Sequence, residues 1–151
     1  MLLRMNISLC AALLWAAHAA AQSTLGELLD AGATKLSPEV FKEEVVQRMI
    51  TGPTGSGGTV EVMYAKSGVI AGRGQAPAFQ QSPILGSTIG GEWKINEEGK
   101  ICASMRILQA AAGPAEFPHR CQYWYKLGEQ YYLSESDSDR HARVLRRTLK
   151  Q

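Results

Sequence analysis

Glu92-Trp93-Lys94-Ile95-Asn96-Glu97-Glu98-Gly99-Lys100-Ile101-Cys102-Ala103-Ser104-Met105-Arg106-Ile107 is the stretch from which the rest of the chain is read. Trp93 and Ile95 alternate with Glu92 and Lys94, and Ile101, Ala103, Met105 and Ile107 alternate with Cys102, Ser104 and Arg106. Between them, Asn96-Glu97-Glu98-Gly99 is turn chemistry. A period of two on both sides of a turn predicts a β-hairpin with one buried face. A second hairpin follows, with strands at 121–127 and 131–134 joined across Gly128-Glu129-Gln130. Upstream, Val60, Val62 and Tyr64 alternate with Thr59, Glu61 and Met63, and Lys66-Ser67-Gly68 turns the chain into Val69-Ile70-Ala71.

The segments between are less regular. Residues 72–83 are rich in Gly, Pro and Gln and read as a loop, 84–89 as a short strand, and 109–118, with Pro114 and Pro118, as another loop. The last segment admits two readings. Val144, Leu145, Thr148 and Leu149 suit a helix, whereas Ala142, Val144, Arg146 and Thr148 suit an edge strand guarded by charge. At the other end, Thr24-Leu25-Gly26-Glu27 has the form of a capping box, and Ser37-Pro38-Glu39 places an N-cap before a proline at the first helical position. The first helix is expected to end near Gly32. The second carries Phe41, Val45 and Met49 on one face and stops at Gly52-Pro53. The expected fold is α+β, mainly β: an antiparallel sheet or partly open barrel of about six strands, preceded by two short N-terminal helices. The β-rich part runs from about 58 to 149, and internal repeats are absent.

The first residues have a different character. Arg4 precedes an apolar run from Ile7 to Ala17, too short to span a bilayer, and small residues follow at Ala19, Ala20 and Ala21. Residues 1–21 are therefore expected to be an export signal and 22–151 a single exported domain, periplasmic or secreted and not membrane-spanning. Loss of the signal leaves two cysteines, Cys102 and Cys121, which in an oxidising compartment most simply form one bridge. A zinc site recruiting His119 is the rejected alternative, because three ligands at this spacing match no zinc pattern. The domain is nearly neutral, with an acidic start (Glu27, Asp30, Glu39, Glu43, Glu44) and a basic end (Arg140, Arg143, Arg146, Arg147, Lys150). Nucleic acid is not an expected partner.

Chemical motifs are few. Gly52-Pro53-Thr54-Gly55-Ser56-Gly57-Gly58-Thr59 resembles a P-loop but has Gly58 where the phosphate-binding lysine belongs, and a strand rather than a helix is expected after it. It reads as a helix-to-strand connector that binds no nucleotide. His119 and His141 are the histidines of the expected domain, and a Ser-His-Asp set assembled from His141, Asp137 or Asp139 has no motif behind it. Glu135, Asp137 and Asp139 lack the pattern of a calcium loop. No catalytic residue, metal or cofactor is assigned. The candidate binding residues come from the aromatic strand. Cys121, Tyr123 and Tyr125 share one face, expected to be the core face because of the bridge, so Gln122, Trp124 and Lys126 lie opposite. Two readings follow: an open face for a sugar or protein partner, or a face covered by Leu28, Leu29, Phe41 and Val45 of the helices.

The signposts Gly91-Glu92-Trp93-Lys94-Ile95, Glu98-Gly99-Lys100-Ile101-Cys102 and Cys121-Gln122-Tyr123-Trp124-Tyr125-Lys126, with Gly128 and Tyr131, resemble small exported proteobacterial proteins of domain-of-unknown-function family 995. The likeness covers residues 55–135, and the longer loop between the cysteines and the basic tail depart from it. It implies an exported β-rich domain with a bridge and supplies no activity. A weaker likeness, from Gly91 to Cys102, is to secreted bacterial inhibitors of metalloproteases. The resulting expectation is a non-enzymatic binding or envelope-accessory domain, monomeric or weakly associated, whose partner is an unidentified envelope protein or glycan. The alternatives are an inhibitor of an exported protease or other hydrolase, and a small hydrolase.

Overall fold

A computed structural model describes residues 22–54, 57–75, 87–108 and 115–150. The expected export signal at 1–21 lies outside them, as do residues 76–83 and 109–114 of the two expected loops and 84–86 of the expected strand. Helix α1 (Leu25–Asp30) starts at the capping box: Thr24 Oγ1 accepts from Glu27 N–H while the Glu27 carboxylate accepts from Thr24 N–H. Helix α2 (Pro38–Glu44) is capped by Ser37 and has Pro38 in its first turn. It ends sooner than expected. Gln47 adopts a left-handed φ of 67°, and Met49 and Ile50 open a strand instead of extending the helical face.

The strands are β1 (Thr34–Lys35), β2 (Met49–Pro53), β3 (Thr59–Tyr64), β4 (Val69–Gln75), β5 (Ser87–Ile95), β6 (Ile101–Ile107), β7 (Ala115–Glu116), β8 (Arg120–Leu127), β9 (Gln130–Ser134) and β10 (Val144–Leu149). Eight of them, β2 to β6 and β8 to β10, pair antiparallel with their neighbours in chain order. The ring closes through β10 on β2 and β6 on β8. The mainly β, antiparallel fold behind two short helices is as expected. The barrel, however, is closed rather than partly open, with eight strands rather than about six. The difference has local causes. Met49–Pro53 is a strand, not the end of a helix, so the glycine-rich 52–59 segment connects two strands. Ser87–Ile95 is one strand running through Gly90 and Gly91, and β4 extends into the expected loop as far as Gln75. The C-terminal segment is a strand, but it sits between β9 and β2 and is not an edge.

Alternation sends Val60, Val62 and Tyr64, Ile70, Ile89, Ile101, Trp124, Tyr131 and Leu133 into the interior, where Phe41 and Val45 of α2 join them. Two interior-facing glycines allow the wall to bend. A Cβ on Gly72 would overlap the Glu61 carbonyl oxygen, and one on Gly91 the Ser104 carbonyl oxygen. Helix α2 crosses the barrel end that carries the short hairpin turns. Gln47 N–H donates to Tyr64 O at 2.8 Å, Pro38 lies beside Gly99, and Glu44 bonds Lys126. A second, smaller apolar cluster lies outside the barrel, where Leu25 and Leu28 of α1 cover Tyr125, Tyr132 and Val144. Cys102 and Cys121 face each other across the β6–β8 seam and are bonded, with an S–S distance of 2.06 Å. Among the described residues no helix is long and apolar enough to cross a membrane.

Candidate functional site

Interior positions differ along the barrel. Beneath α2, the rings of Phe41, Tyr64, Trp93, Trp124 and Tyr131 meet edge to face, with centroids 5.1–6.4 Å apart. Away from α2 the described side chains leave part of the interior open. A cavity of about 190 Å³ lies between Val60, Tyr64, Ala103, Met105, Leu133 and Leu145, with Phe117, Pro118 and Arg120 also on its wall. Pro118 and Arg120 are exposed, which puts the mouth beside them.

Two charged side chains line this cavity, Arg120 at its mouth, paired with Glu135, and Arg147 inside it. On β10, Leu145, Arg147 and Leu149 share the inward face, and Arg147 is only 8% exposed. Its Nη1 donates to Pro53 O at 2.6 Å and to Arg146 O at 2.9 Å. Gly52 makes space for it: a Cβ there would stand 2.8 Å from Arg147 Nη1. All fourteen Asp and Glu residues of the chain fall within the described residues, and none forms an ion pair with Arg147. Burial holds its pKa below the usual arginine value, offset in part by Tyr64; burial likewise raises the Tyr64 phenol, offset by the Arg147 charge.

The residues singled out from the sequence are distributed otherwise. Trp124 is 2% exposed and belongs to the interior, so of the two readings of its face the covered one holds and the open one does not. The alternation was read correctly, but the bridge marks the outside of the barrel. Phe41 and Val45 cover Trp124 within the barrel, whereas Leu28 and Leu29 of α1 pack on the opposite face of β8, against Tyr125 and Tyr123. Gln122 lines the cavity. Lys126 instead reaches α2, where its Nζ donates to Glu44 Oε2 at 2.8 Å and the Tyr131 hydroxyl donates to the same oxygen at 2.7 Å. These bonds, Lys126 first and Tyr131 second, hold the Glu44 carboxyl below its usual pKa.

The basic tail is not one strip. Arg140 pairs with Asp30 at 2.6 Å, Lys150 pairs with Glu61, and Arg147 turns inward. The alternative zinc ligands do converge, with His119 Nε2 3.5 Å from Cys121 Sγ, but both sulfurs are committed to the bridge. The other nitrogen of His119 lies 2.7 Å from Ser104 Oγ on the outer surface, with no carboxylate bonded to the ring. Asp137 pairs with Lys35, and the Asp139 side chain accepts from the His141 backbone N–H, so these residues form no triad. Arg147 was legible in one respect only: a charge flanked at two residues' distance by Leu145 and Leu149 is an inward position on a strand. Compared with protein-family models, with curated proteins and with solved structures, the chain finds no match.

Proposed function

We propose that this chain is an exported, non-enzymatic binding domain, periplasmic or secreted, that holds a small molecule with a substantial apolar part inside its barrel. The observation that carries the reading is the unfilled cavity of about 190 Å³ walled by Val60, Ala103, Met105, Phe117, Leu133 and Leu145. Eight strands enclose a space that side chains either fill or leave for one small ligand. An apolar cavity of about 150 Å³ accepts benzene, so this one suits a ligand of roughly six to eight non-hydrogen atoms. The Cys102–Cys121 bridge favours a location outside the cytoplasm.

Titration with 1-hexanol, followed by NMR, tests the reading. The methyl signals of Val60, Met105, Leu133 and Leu145 are expected to shift saturably. Ala103→Leu, which fills the cavity, is expected to abolish the shifts and raise stability by about 0.5–2 kcal/mol. Shifts confined to the outer surface, or none, overturn the proposal.

A further inference from the structure

Resting on the barrel reading, we infer that the ligand is a small amphipathic monocarboxylate, its apolar part in the cavity and its carboxylate on the guanidinium of Arg147. A buried cation without a counter-charge is costly, and two carbonyl contacts on Nη1 leave the rest of the guanidinium without a hydrogen-bond partner among the described residues. The planar fork of an arginine matches the two oxygens of a carboxylate. The Tyr64 hydroxyl supplies a second donor. Tyr64 lines the same cavity, and its hydroxyl makes no hydrogen bond to the described residues. Arg120, at the mouth of the cavity, is paired with Glu135, so Arg147 is the unpaired cation on the wall and balances a single negative charge, which favours a carboxylate over a phosphate dianion. Glu61, on β3 two strands away, is already engaged by Arg73 and Lys150 and leaves Arg147 unneutralised.

The test compares hexanoate, 1-hexanol and hexylammonium on the full exported domain at pH 7. Hexanoate is expected to bind about tenfold or more tightly than hexanol, as a charge-assisted hydrogen bond implies, and hexylammonium not at all. The advantage of hexanoate should vanish when its own carboxyl is protonated at low pH. Arg147→Met should equalise hexanoate and hexanol, and Arg147→Lys should keep part of the preference. If Arg147→Met does not fold, the ligand series and its pH dependence on the unaltered protein decide alone. Equal binding of hexanoate and hexanol to the cavity overturns the carboxylate inference and leaves the barrel reading standing. Binding of neither overturns both.

Discussion

Beneath α2 the barrel interior is packed with Phe41, Tyr64, Trp93, Trp124 and Tyr131, ring against ring. At the far end, Ala103, Leu133, Leu145 and Arg147 line a cavity. The same antiparallel wall surrounds both regions, so the difference lies in the inward side chains and in the Phe41 that α2 adds at one end. Aromatic rings stacked edge to face fill a barrel cross-section and contribute beyond their buried area. Aliphatic and small residues at matched levels do not reach across it. Packing is thus concentrated at the helix-capped end, and the other end keeps a cavity.

The largest test of this contrast is a pair of truncations. Trp124→Ala should destabilise by about 3–5 kcal/mol in denaturant unfolding, whereas Met105→Ala, on the cavity wall, should cost less than about 2 kcal/mol. Equal losses would show that both ends are packed alike.

The seam between β6 and β8 comes next. It has three registered pairs, at Ile101, Cys102 and Ala103, and the bridge spans 19 residues of sequence there. Replacing both cysteines by serine should lower stability by about 3 kcal/mol in the chain-entropy model. A loss below about 1 kcal/mol would mean that the barrel wall holds this seam unaided.

The smallest effect belongs to Glu44, which ties α2 to Lys126 and Tyr131. Its folded pKa is depressed, so its stabilising contribution is present above the unfolded value of about 4.3 and is lost as pH falls through the folded value. Glu44→Gln should cost under about 1 kcal/mol at pH 7 and nothing at the acid end of that window. An undiminished difference at low pH would rule out the ion pair as its source.

Much of the fold was legible because alternation is a local signal. The runs at Val60–Tyr64, Trp93–Ile95 and Ile101–Ile107 and the aromatic hairpin all became strands, and both helix caps formed where Thr24 and Ser37 predict them. What was not legible depends on distant partners. Trp124 and Tyr125 alternate correctly, but in a barrel flanked by a helix both faces of β8 are covered, so alternation cannot say which is inside. Met49 follows Val45 at helical spacing, yet pairing with β3 and β10 draws it into a strand. Arg147 looked like one more charge in a basic tail because its inward turn is set by β9 and β2, far away in sequence.

The way the barrel shuts has a further consequence, for the order of folding. Successive strands pair with chain neighbours across at most about a dozen residues, but β10 must find β2, with Thr148 opposite Thr51 and Leu149 opposite Ile50. That contact closes a loop of nearly the whole domain for two registered pairs, the largest entropic cost in the topology. Closure is therefore expected late, after the meander from β3 to β9. Arg147, whose guanidinium bonds Pro53 O across this junction, reaches its place only when the ring is complete. The buried charge of the cavity wall thus depends on barrel closure, and a chain with an unclosed barrel would lack the arrangement that holds Arg147 inside.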